Sequence, residues 1–199
     1  MSGSPFLAKV VSRVTNPCSL SVVVLILTAC TESANLRAVL GWVLIILLFL
    51  VVLPLGYVYV RTSAGRRGAK FFADLTTFLG DHPRDISVLG VFLGLPCVLV
   101  LVFLEAPPPL ITTFVALLAT SLIVALCNLR YGVSYHLAAL TVLIIMVSLI
   151  WGQTYLTLLA TLPLIGWAKY YLGEHTPAQL AAGFGLAAVV SGVTLYFLG

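Results

Sequence analysis

Apolar residues run through this chain in long blocks with no polar face, separated by short polar clusters. The blocks cover residues 18–31, 38–60, 86–104 and 110–127, then a fifth ending at Trp151, a sixth over 155–167 and a seventh ending at Leu198. Runs of about 18 or more apolar residues are read as membrane-spanning helices. A soluble helical core would need a polar face on each helix, and these blocks are apolar all round. The block at 18–31 is short and carries Ser and Thr, so the pattern predicts six to seven spans. The fold class expected is an all-α polytopic transmembrane bundle with short interfacial helices.

The polar clusters predict the connections. Residues 6–14 set Phe6, Leu7, Val10, Val11 and Val14 at helical spacing around Lys9 and Arg13, which suits a helix lying among headgroups. Residues 61–85 are the one sizeable polar segment. There Phe71, Leu75, Phe78 and Leu79 predict a second interfacial helix, ended by a turn at residues 80–85. Glu105-Ala-Pro-Pro-Pro predicts a tight hairpin, because consecutive prolines cannot continue a helix. Gly152-Gln153-Thr154 predicts a turn. With no repeat and no linker, residues 1–199 read as a single integral membrane domain, 1–16 being an interfacial amino-terminal segment. The apolar stretch at the amino terminus is short and carries Lys9 and Arg13, unlike a cleavable signal.

Composition agrees: 61% of residues are hydrophobic and 8% charged, too little charge for a dispersed soluble domain. The net charge of +4 comes without any Lys/Arg run interleaved with aromatics, so no nucleic-acid partner is expected. Cys18, Cys30, Cys97 and Cys127 form no Cys-x-x-Cys and no zinc-spaced cluster. They read as buried free thiols, and no metal or other cofactor is expected. Trp42, Trp151 and Trp167 read as interface anchors.

Alternating seven spans sorts the charges. Of ten Lys and Arg residues, only Arg37 falls opposite the side that holds the amino terminus. The positive-inside rule makes the cation-rich side cytoplasmic, as expected for a protein of the plasma (inner) membrane. The same alternation brings His82, His136 and His175 to one face, with Lys70, Arg84, Arg130 and Lys169. Histidines and cations clustered at a membrane face suit the phosphate of a lipid.

Ser134 and His136 open the fifth span, and His175 with Thr176-Pro177 opens the seventh. Thr before a Pro at the first helical position is a good helix start. Two helix amino termini would face the same layer, each favouring an anion, with Lys169 at the end of the sixth span beside them. Phosphoryl transfer needs donors around the non-bridging oxygens, an in-line nucleophile and an acid for the leaving oxygen. Two histidines and several cations supply all three without metal, one histidine attacking phosphorus and the other protonating the leaving group.

These segments resemble the type 2 phosphatidic acid phosphatase superfamily, whose members dephosphorylate lipid phosphates and isoprenoid diphosphates. The family's third motif, Ser-Arg-x5-His-x3-Asp, is matched by Ala168-Lys169-x5-His175-x3-Gln179 within KYYLGEHTPAQLAAGFGLA, and its second, Pro-Ser-Gly-His, by Val133-Ser134-Tyr135-His136. The resemblance implies His175 as nucleophile forming a phosphohistidine and His136 as general acid. It also implies Lys169 in place of the phosphate-binding Arg, Ser134 as a phosphate donor and Gln179 as the residue orienting His175. The first motif, Lys-x6-Arg-Pro, has no counterpart at its spacing, and Lys70 and Arg84 are the nearest substitutes. The resemblance covers about the last 70 residues.

A second expectation belongs to another class: a catalytically silent relative that binds anionic lipid, or a subunit of a membrane complex. Lys169 and Gln179, standing where the family has Arg and Asp, motivate it. Lys169 also suits a helix carboxyl terminus, and Gln179 an interhelical hydrogen bond. Arg66, Arg67 and Lys70 suit anionic headgroups, while Arg84 and Arg130 are evenly balanced between substrate and headgroup. His82 alone reads as an interfacial polar residue. A transporter would need ionisable groups in mid-span, and the apolar blocks carry none.

Overall fold

Prolines inside the apolar blocks decide where the α-helical ladder breaks. The computed structural model describes residues 4–63 and 89–198. In chain order these form α1 (Ser4–Val14), α2 (Pro17–Glu32), α3 (Leu36–Leu47), α4 (Leu53–Ser63), α5 (Leu95–Phe103), α6 (Pro108–Cys127), α7 (Tyr135–Trp151), α8 (Leu162–Tyr171) and α9 (Pro177–Leu198). A π-turn, Leu48–Val52, joins α3 to α4, and a second, Gly90–Gly94, leads into α5. Each closes with an i→i−5 bond, Leu53 N–H to the Leu48 carbonyl and Leu95 N–H to the Gly90 carbonyl. The next residue in each case is a proline, Pro54 or Pro96. Proline has no N–H to continue the ladder, and the wider turn absorbs the missing bond.

The sixth block behaves likewise, and here the expected continuous helix over 155–167 is corrected. Gln153–Thr161 is a 3₁₀-helix and α8 begins only at Leu162, with Pro163 in its first turn, where a missing N–H costs nothing. Thr157 and Thr161 donate their hydroxyls to carbonyls three residues back, Thr154 and Leu158, at 2.7 Å each. The expected turn at 152–154 shrinks to Gly152, at φ 117°.

The remaining connections follow the sequence. Asn16 and Asn35 cap α2 and α3 with their side-chain oxygens. The proline hairpin forms, turning at Glu105 (φ 55°) and restarting with Pro108 in the first turn of α6. The segment over 64–88 lies outside the described residues. With it lie the predicted second interfacial helix and its turn, together with Lys70, His82 and Arg84.

Helix α7 is the centre. Nearly every residue from Leu137 to Ser148 is buried, as expected for a helix without a polar face. It packs closely with α6 and α9, while α2 lies against α6 and α7. Helix α1 docks on α8, with Ala8 fully buried. Hydrogen bonds mark the two ends of the bundle. Ser134 N–H donates to the Gln179 carbonyl at one end, and the Thr112 hydroxyl to the Leu198 carbonyl at the other.

Four stretches are long and apolar enough to cross a membrane: Pro5–Glu32, Leu36–Tyr57, Pro108–Cys127 and Pro177–Leu198. Gly90–Phe103 and Tyr135–Trp151 are shorter apolar helices. The protein is therefore an all-helical one with helices fit for a membrane. All four cysteines are free thiols, but Cys97 alone is buried and Cys30 is exposed, which corrects the expectation of four buried thiols. The outer faces that a soluble protein would make polar are apolar here.

Candidate functional site

Two capping motifs hold His175 between α8 and α9. Helix α8 ends in a Schellman motif: Gly173, at φ 72°, donates its N–H to the Tyr170 carbonyl, and Glu174 N–H bonds the Lys169 carbonyl. Only glycine takes that backbone conformation without steric cost. The motif folds Glu174 back over Lys169, and the Lys169 Nζ then lies 2.7 Å from Glu174 Oε2. Two residues on, Thr176 and Gln179 form a capping box. Thr176 N–H donates to Gln179 Oε1 at 3.0 Å, and Gln179 N–H to Thr176 Oγ1 at 3.4 Å. Thr-x-x-Gln before an apolar run is a sequence signature of this motif. Read that way, Gln179 closes its own helix end with its carbonyl oxygen and keeps only its amide N–H groups for other partners.

Ser134 is fully buried and caps α7, its Oγ accepting from Leu137 N–H at 3.4 Å. The Ser134 N–H to Gln179 carbonyl bond ties the start of α7 to the start of α9. Gly183 permits the approach, since a Cβ there would stand 2.6 Å from the Ser134 carbonyl oxygen.

With these starts tied, His136, Lys169 and His175 interact electrostatically: Lys169 bears on both imidazoles, and His175 on His136. Lys169 is 9% exposed, so its ammonium depends on the Glu174 carboxylate and on whatever anion comes within reach. His136 meets a partner from the far end of the sequence, Thr15 Oγ1, 3.2 Å from its Nε2. Thr15 also donates to the Val11 carbonyl at 2.7 Å, which leaves its oxygen to accept from an Nε2–H.

His175 Nδ1 is buried and makes no hydrogen bond among the described residues. Burial holds the His175 pKa below its ordinary value, and the nearby Lys169 charge pushes the same way. Gln179, the Glu174 carboxylate and the Gly132 backbone offset part of this. The balance favours the neutral imidazole.

The structure brings His136, Lys169, His175 and Gln179 to one end of the bundle, with Ser134 capping the start of α7. Arg130, in the neighbouring loop, is exposed and makes no ion pair among the described residues. Lys70 and Arg84 lie outside the described residues. Among the described residues no group of His, Cys, Asp and Glu could hold a metal ion. Sequence reading missed Glu174 and Thr15. The Gly173 stop between Lys169 and Glu174 signals the first, whereas nothing local to Thr15 announces a contact 121 residues away. No protein-family model, curated protein or solved structure matches the chain.

Proposed function

We propose that this protein is an integral membrane phosphatase for lipid phosphates or isoprenoid diphosphates, acting without metal through a phosphohistidine on His175. The observation that carries the reading is the meeting of two histidines and a buried lysine where α7 and α9 both begin. Helix amino termini favour phosphate, and the Lys169 ammonium donates to its non-bridging oxygens.

In the first step a ring nitrogen of the neutral His175 attacks phosphorus. An N–P bond forms and the P–O bond to the departing alcohol or phosphate breaks, while His136, neutral at rest beside the Lys169 ammonium, relays a proton from the substrate's monoanionic phosphate to the departing oxygen. In the second, water attacks the phosphohistidine, and His136 relays the water's proton to the departing phosphate as the P–N bond breaks. Inorganic phosphate leaves and both histidines are restored. Thr15 positions the His136 ring for both transfers.

The bundle in this reading has six to seven spans. Gln153–Thr161 and Leu162–Tyr171, with nine and ten residues, together rise roughly 33 Å, enough for a hydrocarbon core of about 30 Å. The site lies on the cytoplasmic side of the plasma membrane.

The test is phosphate release from phosphatidate and farnesyl diphosphate by the purified protein in EDTA. Wild type should turn over, His175→Ala should fall to background, and His136→Ala should lose about 10²–10⁴-fold. Equal rates in wild type and His175→Ala would end the proposal. A second reading, a silent relative that binds anionic lipid or serves in a membrane complex, is favoured by the charge balance. Glu174 already neutralises Lys169, and Gln179 supplies no carboxylate to compensate a charged His175. Lipid-phosphate binding without turnover would select it.

A further inference from the structure

Beside the polar cluster a groove of about 560 Å³ opens between α8 and α9, within the usual size of ligand clefts, roughly 300–1,000 Å³. Leu137 and Leu180 form its floor, and Trp167, Tyr170, Pro177 and Phe184 its walls. Three of the lining residues adjoin the cluster along the chain. Leu137 follows His136, Tyr170 follows Lys169, and Pro177 comes two residues after His175. The three residues that would hold a phosphate are thus followed, within two positions along the backbone, by residues that line an apolar groove. Gly166 keeps the channel deep: a Cβ there would meet Leu180 at 3.7 Å and Leu137 at 3.9 Å, so anything larger grows into the floor. Headgroup and hydrocarbon of one amphiphile fit that juxtaposition, and the lining offers no hydrogen-bonding side chain at its floor to hold a polar occupant.

We infer that this groove holds one hydrocarbon chain, acyl or isoprenoid, of the same lipid whose phosphate sits at His136, Lys169 and His175. This rests on the proposed phosphate site and adds to it the specificity for a tail. Chain affinity then comes from α8 and α9, while the headgroup is held by the cluster. Every buried methylene adds to the affinity, so a blocked groove penalises tailed ligands only.

The experiment measures binding of three probes to the full-length protein in phosphatidylcholine nanodiscs: dipalmitoyl phosphatidate, geranylgeranyl phosphate and glycerol 3-phosphate, the last a headgroup without a chain. Wild type is compared with Gly166→Leu, which fills the groove from α8, and with Ala181→Trp, which fills it from the exposed face of α9. The expected result in either variant is an affinity about ten-fold lower or more for a tailed probe, the equivalent of two or three methylenes, with glycerol 3-phosphate binding unchanged. Loss limited to the acyl or to the prenyl probe supports the inference and names the chain. Unchanged affinity for both tailed probes in both variants overturns the groove while the phosphate site stands, as does an equal loss for all three probes. Wild-type protein that binds none of the three overturns the phosphate site and the groove with it.

Discussion

The Nζ of Lys169 lies 2.7 Å from Oε2 of Glu174, and the backbone joins the same two residues through the Glu174 N–H and the Lys169 carbonyl. The cluster's one described cation is therefore held in place by a carboxylate on a glycine hinge. Any phosphate that reaches Lys169 competes with Glu174 or shares the ammonium with it.

Glu174→Gln should separate these possibilities. It leaves Lys169 mostly buried and unpaired, which costs stability. The partner carboxylate is 44% exposed, so the loss is closer to a surface pair, about 1 kcal/mol. The melting temperature should fall in anion-free buffer and recover on adding a lipid phosphate by more than wild type gains. A variant whose melting point shows no anion dependence beyond wild type's would mean that Lys169 does not reach ligand.

Gln179 serves α9 before it serves His175. Gln179→Ala removes one half of the capping box and should cost about 1 kcal/mol. Gln179→Glu keeps the box and places a carboxylate beside His175, so the His175 pKa should rise and phosphate release should increase. Chemical shifts of the His175 ring across a pH titration check the first outcome and phosphate release the second.

Gly183→Ala tests how the two helix starts meet. The new Cβ would stand 2.6 Å from a backbone oxygen of Ser134, which no side-chain rotation can relieve. Overpacking of this kind costs about 1–3 kcal/mol. Since α7 and α9 must part to accept it, headgroup binding should weaken along with the melting temperature. Gly192→Ala, where a Cβ meets nothing within 4 Å, is the control expected to leave both intact.

The depressed pKa of His175 fixes the sign of a pH effect. Below the ordinary histidine value of about 6.5, the unfolded chain takes up a proton that the folded chain still refuses. Stability therefore falls as pH drops below that value, and levels off only once the folded-state pKa is passed. Above it both states are neutral and the contribution vanishes. Denaturation of wild type and His175→Gln between pH 7.5 and 5 should show a shallower acid loss in the variant. Parallel curves would place the titration elsewhere.

Thr15→Val removes the only side chain bonded to the His136 ring among the described residues. A neutral hydrogen bond of this kind contributes about 1 kcal/mol, so the fold should survive. If Thr15 positions the acid, kcat should drop with KM little changed, and Thr15→Ser should restore it.

All-helical structure with stretches long and apolar enough for a membrane was legible in the sequence, because apolar length is a property of the chain alone. So was the start of α9 at Thr176-Pro177, where cap and proline act locally. The breaks at Pro54, Pro96 and Pro163 were also written there, but a reading by apolar blocks passes over a single missing N–H. Tertiary structure decided the rest. The Glu174 carboxylate reaches Lys169 only because a left-handed Gly173 turns the chain back. Thr15 reaches His136 only because α1 packs on α8. The groove exists only because residues of α7, α8 and α9 meet around Gly166. Each depends on how separate helices pack, and packing is set by the shapes of surfaces distant in sequence, which no local pattern records.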